Sequence, residues 1–340
     1  MNVLTPARVA GALGGLALLL FAALALGLVV GPAALSPAQT WTALSEPDAA
    51  GPAADIVLRV RLPRLLLAAL VGGSLAVAGV LFQALLRNPL ADPYVLGVSG
   101  GAALGGIAAL ALGGVLGLGY DAVPFAAFAG ALLATLGLVL VAGRAGRVDA
   151  TSLLLTGVVF NAIASAAIVF LASVAGLTEG ASIFLWLIGS LSASRSGVML
   201  WVALFLVIGL AVALPRARDL NLLALGEDSA QQLGVDVGRQ QRALLLASSL
   251  MVGAAVAVAG LVGFVGLIIP HLLRLLLGAD HRLLVPASAL GGAIFLVLCD
   301  TAARTLLGGR ELPVGAITAL LGGPLFLWLL RRHYDQRLAA

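Results

Sequence analysis

One apolar block of bilayer length follows another along almost the whole of this 340-residue chain. A helix needs about 20 consecutive apolar residues to cross the hydrocarbon of a bilayer. Lipid offers no partner to backbone N–H and C=O groups, so blocks of this kind must close their hydrogen bonds internally, as helices do. Hydrophobic residues occupy 61% of positions and charged ones 10%, whereas soluble domains carry about a quarter charged residues. The expectation is an all-α polytopic membrane protein, a single transmembrane domain over residues 1–340.

All 19 basic residues are arginines. A chain without lysine has no P-loop lysine and no Schiff-base lysine, so any ATP hydrolysis belongs to another subunit. The net charge of +4 is spread over connectors, which is not the basic stripe of a nucleic-acid binder. Cys299 is the sole cysteine, and His271, His281 and His333 are dispersed. No disulfide or metal site is expected from that set. Arg8, the apolar run Val9 to Val30 and Gly31-Pro32 resemble a secretory signal. The run is too long for a signal core and further apolar segments follow it, so an uncleaved first span is expected.

About ten crossings are expected, near 9–31, 62–85, 94–117, 122–142, 151–173, 182–214, 243–262, 264–278, 284–303 and 312–330. With the N-terminus inside, thirteen arginines fall on inner connectors and six on outer ones. That bias favours an even number of spans with both termini cytoplasmic. The stretch AVAGVLFQALLRNPLADPYVLG at 76–97 echoes AVAGLVGFVGLIIPHLLRLLLG at 257–278 without a gap, pairing Gly79 with Gly260, Pro89 with Pro270 and Gly97 with Gly278. The two copies would run in opposite directions, an inverted repeat of the kind transporters use.

The joints of this echo carry local expectations. Pro89 and Pro93 lack N–H groups and should turn the chain over 87–93. Asn88 and Asp92 can satisfy the backbone groups that the turn frees. Gly97, Gly101 and Gly105 form a small-residue face for close helix packing. Pro270 should break the second copy.

The longest polar interruption inside the bundle runs from Pro215 to Arg242. Leu220, Leu222, Leu223 and Leu225 make an apolar patch, Gly226 ends it, and Glu227 and Asp228 can open a second helix. Leu233 and Val235 form another small face, punctuated by Gly234 and Gly238. Two short surface helices that dock a cytoplasmic protein are expected. On the other side Arg61, Arg64 and Arg304 should form a basic rim that attracts an acidic partner.

Gly97-Val98-Ser99-Gly100 has the form seen around intramembrane protease serines, a rival reading that needs a histidine beside Ser99. Transport explains more. Gln83, Asn161, Ser165 and Ser173 are candidates to face a path. No carboxylate lies deep in a span to relay protons, so the energy should come from another subunit.

Four motifs now stand together in order: RLPR at 61–64, GVLFQALLRNPLADPYVLGVSGGA at 79–102, GLIIPHLLRLLLGADHRLLVP at 266–286 and ELPVGAITALLGGPLFLWLL at 311–330. From Arg8 to Arg332 the chain resembles the FecCD-type permeases of bacterial ABC importers, which move iron–siderophore complexes, haem or vitamin B12 through the inner membrane. The resemblance implies a type II importer fold with ten helices, paired with a second copy of itself around a central path. It also implies two cytoplasmic ATPases that use ATP and Mg, and one periplasmic or lipid-anchored binding protein. On this chain residues 215–242 would be the coupling segment, with Leu222, Leu225, Gly226, Glu227, Leu233 and Gly234 at the ATPase. Arg61, Arg64 and Arg304 would meet acidic residues of the binding protein. The chain itself would bind no cofactor and catalyse nothing. Iron–siderophore or haem is the expected cargo, with cobalamin as the alternative.

Overall fold

The computed structural model describes residues 4–117, 119, 121–144, 147–175, 187–191, 196–307 and 311–338. Helix α1 (Pro6–Val29) starts where Thr5 accepts from the Arg8 amide, with Pro6 in the first turn. There a missing N–H costs nothing. Short helices α2 (Pro37–Ser45), α3 (Pro47–Ala50) and α4 (Pro52–Ala54) follow, each opened by a proline. A wide π turn, Asp55–Arg61, leads without a break into α5 (Leu62–Leu85).

Helix α5 is the axis of the molecule. Nearly all its side chains from Leu65 to Leu85 are buried, although it is as apolar as a lipid-facing span. It is enclosed by α9 (Ser196–Ala213), α12 (Val237–Ala259), α13 (Val265–Leu277) and α14 (His281–Thr305). Small residues bring these axes together. A Cβ on Gly72 would collide with the Gly292 carbonyl of α14, and one on Gly79 with the Gly266 carbonyl of α13. With no hydrophobic drive between helices in lipid, such backbone contact is what holds them. A second group is formed by α6 (Val98–Leu116), α7 (Ala122–Ala142) and α8 (Ala150–Val174). Gly101 and Gly105 of α6 meet Gly130 and Ala126 of α7 backbone to backbone, as the small-residue spacing predicts. Phe125 and Phe128 of α7 pack on Trp201 and Phe205 of α9.

The remaining elements are a two-residue antiparallel pair, β1 (Gly143–Arg144) with β2 (Arg147–Val148), the short helices α10 (Ala217–Leu223) and α11 (Glu227–Gln232), and α15 (Val314–Leu338). Among the described residues six helices are long and apolar enough to cross a membrane, and α9 with α10, bent by 64°, makes a seventh. The other expected crossings fall on shorter apolar stretches, Val98–Gly113, Val265–Leu277 and Val314–Trp328. The beginning of the expected 182–214 block lies outside the described residues, and its helix starts at Ser196.

The echo between 76–97 and 257–278 is not a repeat of local structure. Gly79 lies inside α5, whereas its counterpart Gly260 is the C-cap of α12 at φ +68°. Pro89 stands in a turn, whereas Pro270 lies inside α13. Gly97 opens a helix and Gly278 closes one. The shared letters answer different needs at each site.

Candidate functional site

Three places draw the polar residues of this apolar chain together. The first is the segment between α5 and α6. Asn88 Oδ1 accepts from the Leu90 amide and Asp92 Oδ1 from the Tyr94 amide, each at 2.9 Å. These are the Asx turns that Pro89 and Pro93 call for. The turn is then pinned from outside. Asn161 of α8 donates to the Tyr94 carbonyl at 2.8 Å, and the Val262 amide donates to the Tyr94 hydroxyl at 2.7 Å. Asn161 therefore anchors a loop instead of presenting a free amide to a path.

Gln83 is also not a path residue: it is 3% exposed, between α5 and α13. Proline at 270 has no N–H to give the carbonyl four residues back. Gln83 Nε2 supplies the missing donor, 3.3 Å from both the Gly266 and Leu267 oxygens. Its Oε1 accepts from Arg274 at 2.9 Å. That is why Pro270 does not break α13 as expected. Of the four path candidates, Ser165 and Ser173 remain on the open side of α8. They share it with Leu155, Val158, Val159, Ile163, Val169 and Phe170.

The second place is one end of the bundle, where Arg61, Arg64 and Arg304 meet. The expected exposed rim is absent, since the three residues are 2%, 8% and 3% exposed. Arg61 donates to the carbonyls of Leu28 and Val29 at 2.5 and 2.9 Å, and to that of Ala33. A cation at the carbonyl end of α1 answers both its unpaired acceptors and its dipole. Arg64 pairs with Asp300 at 2.9 Å and with Glu311 at 2.8 Å, and Arg304 pairs with Asp300 at 3.0 Å. Asp300 is fully buried and Glu311 is half exposed. Burial without partners would strand these charges, so the chain pairs them internally.

The third place lies at the opposite end, on residues 215–242. Gly226 at φ +116° separates α10 from α11, and Gly234 at φ +89° turns the chain toward α12. The leucine patch divides. Leu220 and Leu223 are buried, while Leu225 and Leu233 are 68% and 61% exposed. A cavity of about 450 Å³ opens beside them, lined by Leu222, Leu233, Gly234, Asp219 and Arg239 among others.

This element is tied to three core helices. Arg87, at the end of α5 with φ +49°, pairs with Glu227 at 3.2 Å. From α12, Gln240 donates to Asp219 at 2.6 Å and Gln241 to Glu227 at 3.3 Å. Asn221 of α10 donates to Asp280 at 2.9 Å, while its Oδ1 accepts from the His281 amide at 2.9 Å and lies 2.7 Å from His281 Nδ1. An amide oxygen only accepts, so the imidazole proton belongs on Nδ1. Asp280 is also bound by Arg282, which together with Asn221 holds its carboxyl well below the ordinary carboxylate range, against the opposing effect of burial. Asp280 as a helix cap was legible before HRLLVP. Asn221 gave no signal, being one polar residue among leucines.

The protease reading fails on geometry. Ser99 is 3% exposed and its hydroxyl donates to the Tyr94 carbonyl, while His281 is engaged by Asn221.

A helical bundle with a lipid-ready exterior, and a leucine-bearing element laced into its core at one end, defines a multi-pass membrane permease. The chain belongs to the FecCD transport family, which matches residues 18–332. It is 41% identical to the hemin transport system permease protein HmuU of Yersinia pestis, over 95% of this chain and 96% of that one. It is 43% identical to the vitamin B12 import system permease protein BtuC of Vibrio cholerae, over 91% and 90% respectively. Its fold resembles the solved structure of a metal-chelate type ABC transporter in an inward-facing conformation, with a TM-score of 0.82, 32% identity and coverage of 95% and 99%.

Proposed function

We propose that this chain is the transmembrane permease of an ATP-driven importer that carries an iron–siderophore or haem complex across a bacterial inner membrane. The observation that carries this reading is the 215–242 element: it offers Leu225 and Leu233 to a partner while polar pairs bind its other side to α5, α12 and α14. An exposed leucine surface beside a cavity suits docking by a soluble ATPase that brings ATP and Mg. A second copy would lie against the apolar side of α8, placing Ser165 and Ser173 at the path between subunits. Both termini and residues 215–242 face the cytoplasm in this scheme, following the arginine bias.

A binding protein, periplasmic or lipid-anchored, would dock at the other end. Because Arg61, Arg64 and Arg304 are spoken for internally, an incoming carboxylate reaches Arg64 by exchanging with half-exposed Glu311. The energy comes from ATP hydrolysis in the ATPases, which bias two packings of the helices.

Cobalamin is the second reading, favoured by the similar identity to relatives named for haemin and for vitamin B12. The test is to reconstitute the permease with its ATPase and binding protein in vesicles. ATP-dependent uptake of ferrichrome, haemin and cyanocobalamin is then compared. Uptake of haemin or ferrichrome supports the first reading and uptake of cyanocobalamin alone the second. ATP hydrolysis that never responds to the binding protein with any cargo would sink both.

A further inference from the structure

The first turn of α14 is finished by a residue from another element. A helix leaves its first N–H groups without intrahelical partners. Asp280 covers the Arg282 amide, and Asn221 reaches across from α10 to cover that of His281. The same Asn221 side chain holds the Asp280 carboxylate and the His281 ring, so both ends of its amide are used. Other side-chain ties of 215–242 go to α5, α9 and α12. Three polar contacts at the start of α14 pass through this one amide.

What lies at the far end of α14 gives the contact its meaning. The helix is continuous from His281 to Thr305. From Asp280 to Asp300 it spans about 30 Å at 1.5 Å per residue. Asp300 is the buried carboxylate that holds Arg64 and Arg304 together. A packed helix moves as a unit, and close-packed interiors pass strain on instead of absorbing it. A displacement of α10 would thus reach, through a clasp of three polar contacts, the ionic cluster at the opposite end.

We propose that Asn221 is the positioning residue that couples the 215–242 element to α14, and that α14 relays its motion to the Arg64–Asp300–Arg304 cluster. Asn221 touches neither cargo nor nucleotide in this scheme. The proposal rests on the permease reading above and adds the route by which ATP-driven motion crosses the molecule.

The test uses the reconstituted complex. Asn221→Ala removes all three contacts and leaves exposed Leu225 and Leu233 in place. Its ATPase should copurify at wild-type yield, while uptake per ATP hydrolysed falls about tenfold, the scale of one lost hydrogen bond to a charged group. Asn221→Asp alone should also fail, because its carboxylate faces Asp280. The exchange Asn221→Asp with Asp280→Asn restores one donor facing one acceptor and should recover coupling. A residue needed only for folding would not be rescued in this way. Should Asn221→Ala fail to assemble, the exchanged pair decides the matter.

A second readout does not depend on cargo. Addition of ATP should change amide hydrogen exchange at residues 301–305 in the wild type and leave it unchanged in Asn221→Ala. If the wild-type complex imports none of ferrichrome, haemin or cyanocobalamin yet shows this Asn221-dependent response, the importer reading fails and the clasp stands. Wild-type uptake per ATP in Asn221→Ala, an unrescued exchange pair, or an ATP response at 301–305 that persists without Asn221 would overturn the clasp.

Discussion

Gln83 shows how one side chain can make an awkward residue harmless. Pro270 deprives the Gly266 carbonyl of its helical donor, and Gln83, 183 positions away in sequence, provides one. Gln83→Leu leaves that carbonyl and the Arg274 guanidinium with fewer partners in a dry interior, at a cost of about 1–3 kcal/mol. Thermal unfolding in detergent should show a lowered midpoint with the helix content of the folded state unchanged. Neither the role of Gln83 nor the burial of Arg61 was legible, because both depend on carbonyls brought close only by tertiary packing. Asp280 supplies a pH test of the clasp. Arg282 first, then Asn221, holds its carboxyl below its ordinary 3.8. A depressed pKa contributes stability that is present above about pH 4 and lost as the pH falls below it. Exchange protection of the His281 amide should therefore weaken on acidification, and in Asp280→Asn that pH dependence should disappear.

At the scale of elements, punctuation made some boundaries readable. The expected spans 62–85 and 122–142 coincide with α5 and α7 to the residue. The expected 94–117 starts late, at Val98, because Gly97 takes φ +85° after the Asx turns. The echo in letters does not carry over to local structure, because glycine and proline serve several purposes. At Gly79 the need is for backbone contact with Gly266, and at Gly260 it is for a left-handed cap. The segment 215–242 was legible as two short helices about Gly226, but not in which leucines face inward. Exposed Leu225 gives the test. Leu225→Asp should fold and insert normally, since the residue packs on nothing in the core. It should copurify with the ATPase several-fold less well, as expected for one truncated apolar anchor worth at least about 1 kcal/mol. A wild-type yield would place the docking surface elsewhere.

For the whole molecule, the arginine bias sets an orientation that labelling can check. In a Cys299→Ser background, a cysteine at Gln232 should resist an impermeant thiol reagent in intact cells and react after permeabilisation. A cysteine at Arg59, on the exposed turn before α5, should react in both cases. The reverse pattern would invert the molecule. The enclosure of α5 has a further consequence, which concerns time. Arg64 ends up against Asp300, 236 residues later in the chain. At a synthesis rate of about 5–20 residues per second, the arginine precedes its carboxylate by roughly 10–50 s. When that interval begins none of the helices that will surround α5 exists and its neighbours are α1 and lipid; α14, which brings the carboxylate, comes last. A helix hydrophobic enough to dwell in oil, with its one arginine in the first turn where it can reach up to headgroups, survives the wait. The apolarity of α5 thus suits the half-made protein as much as the finished one, and a ribosome that stalls before α14 leaves behind an arginine still waiting for its counter-ion.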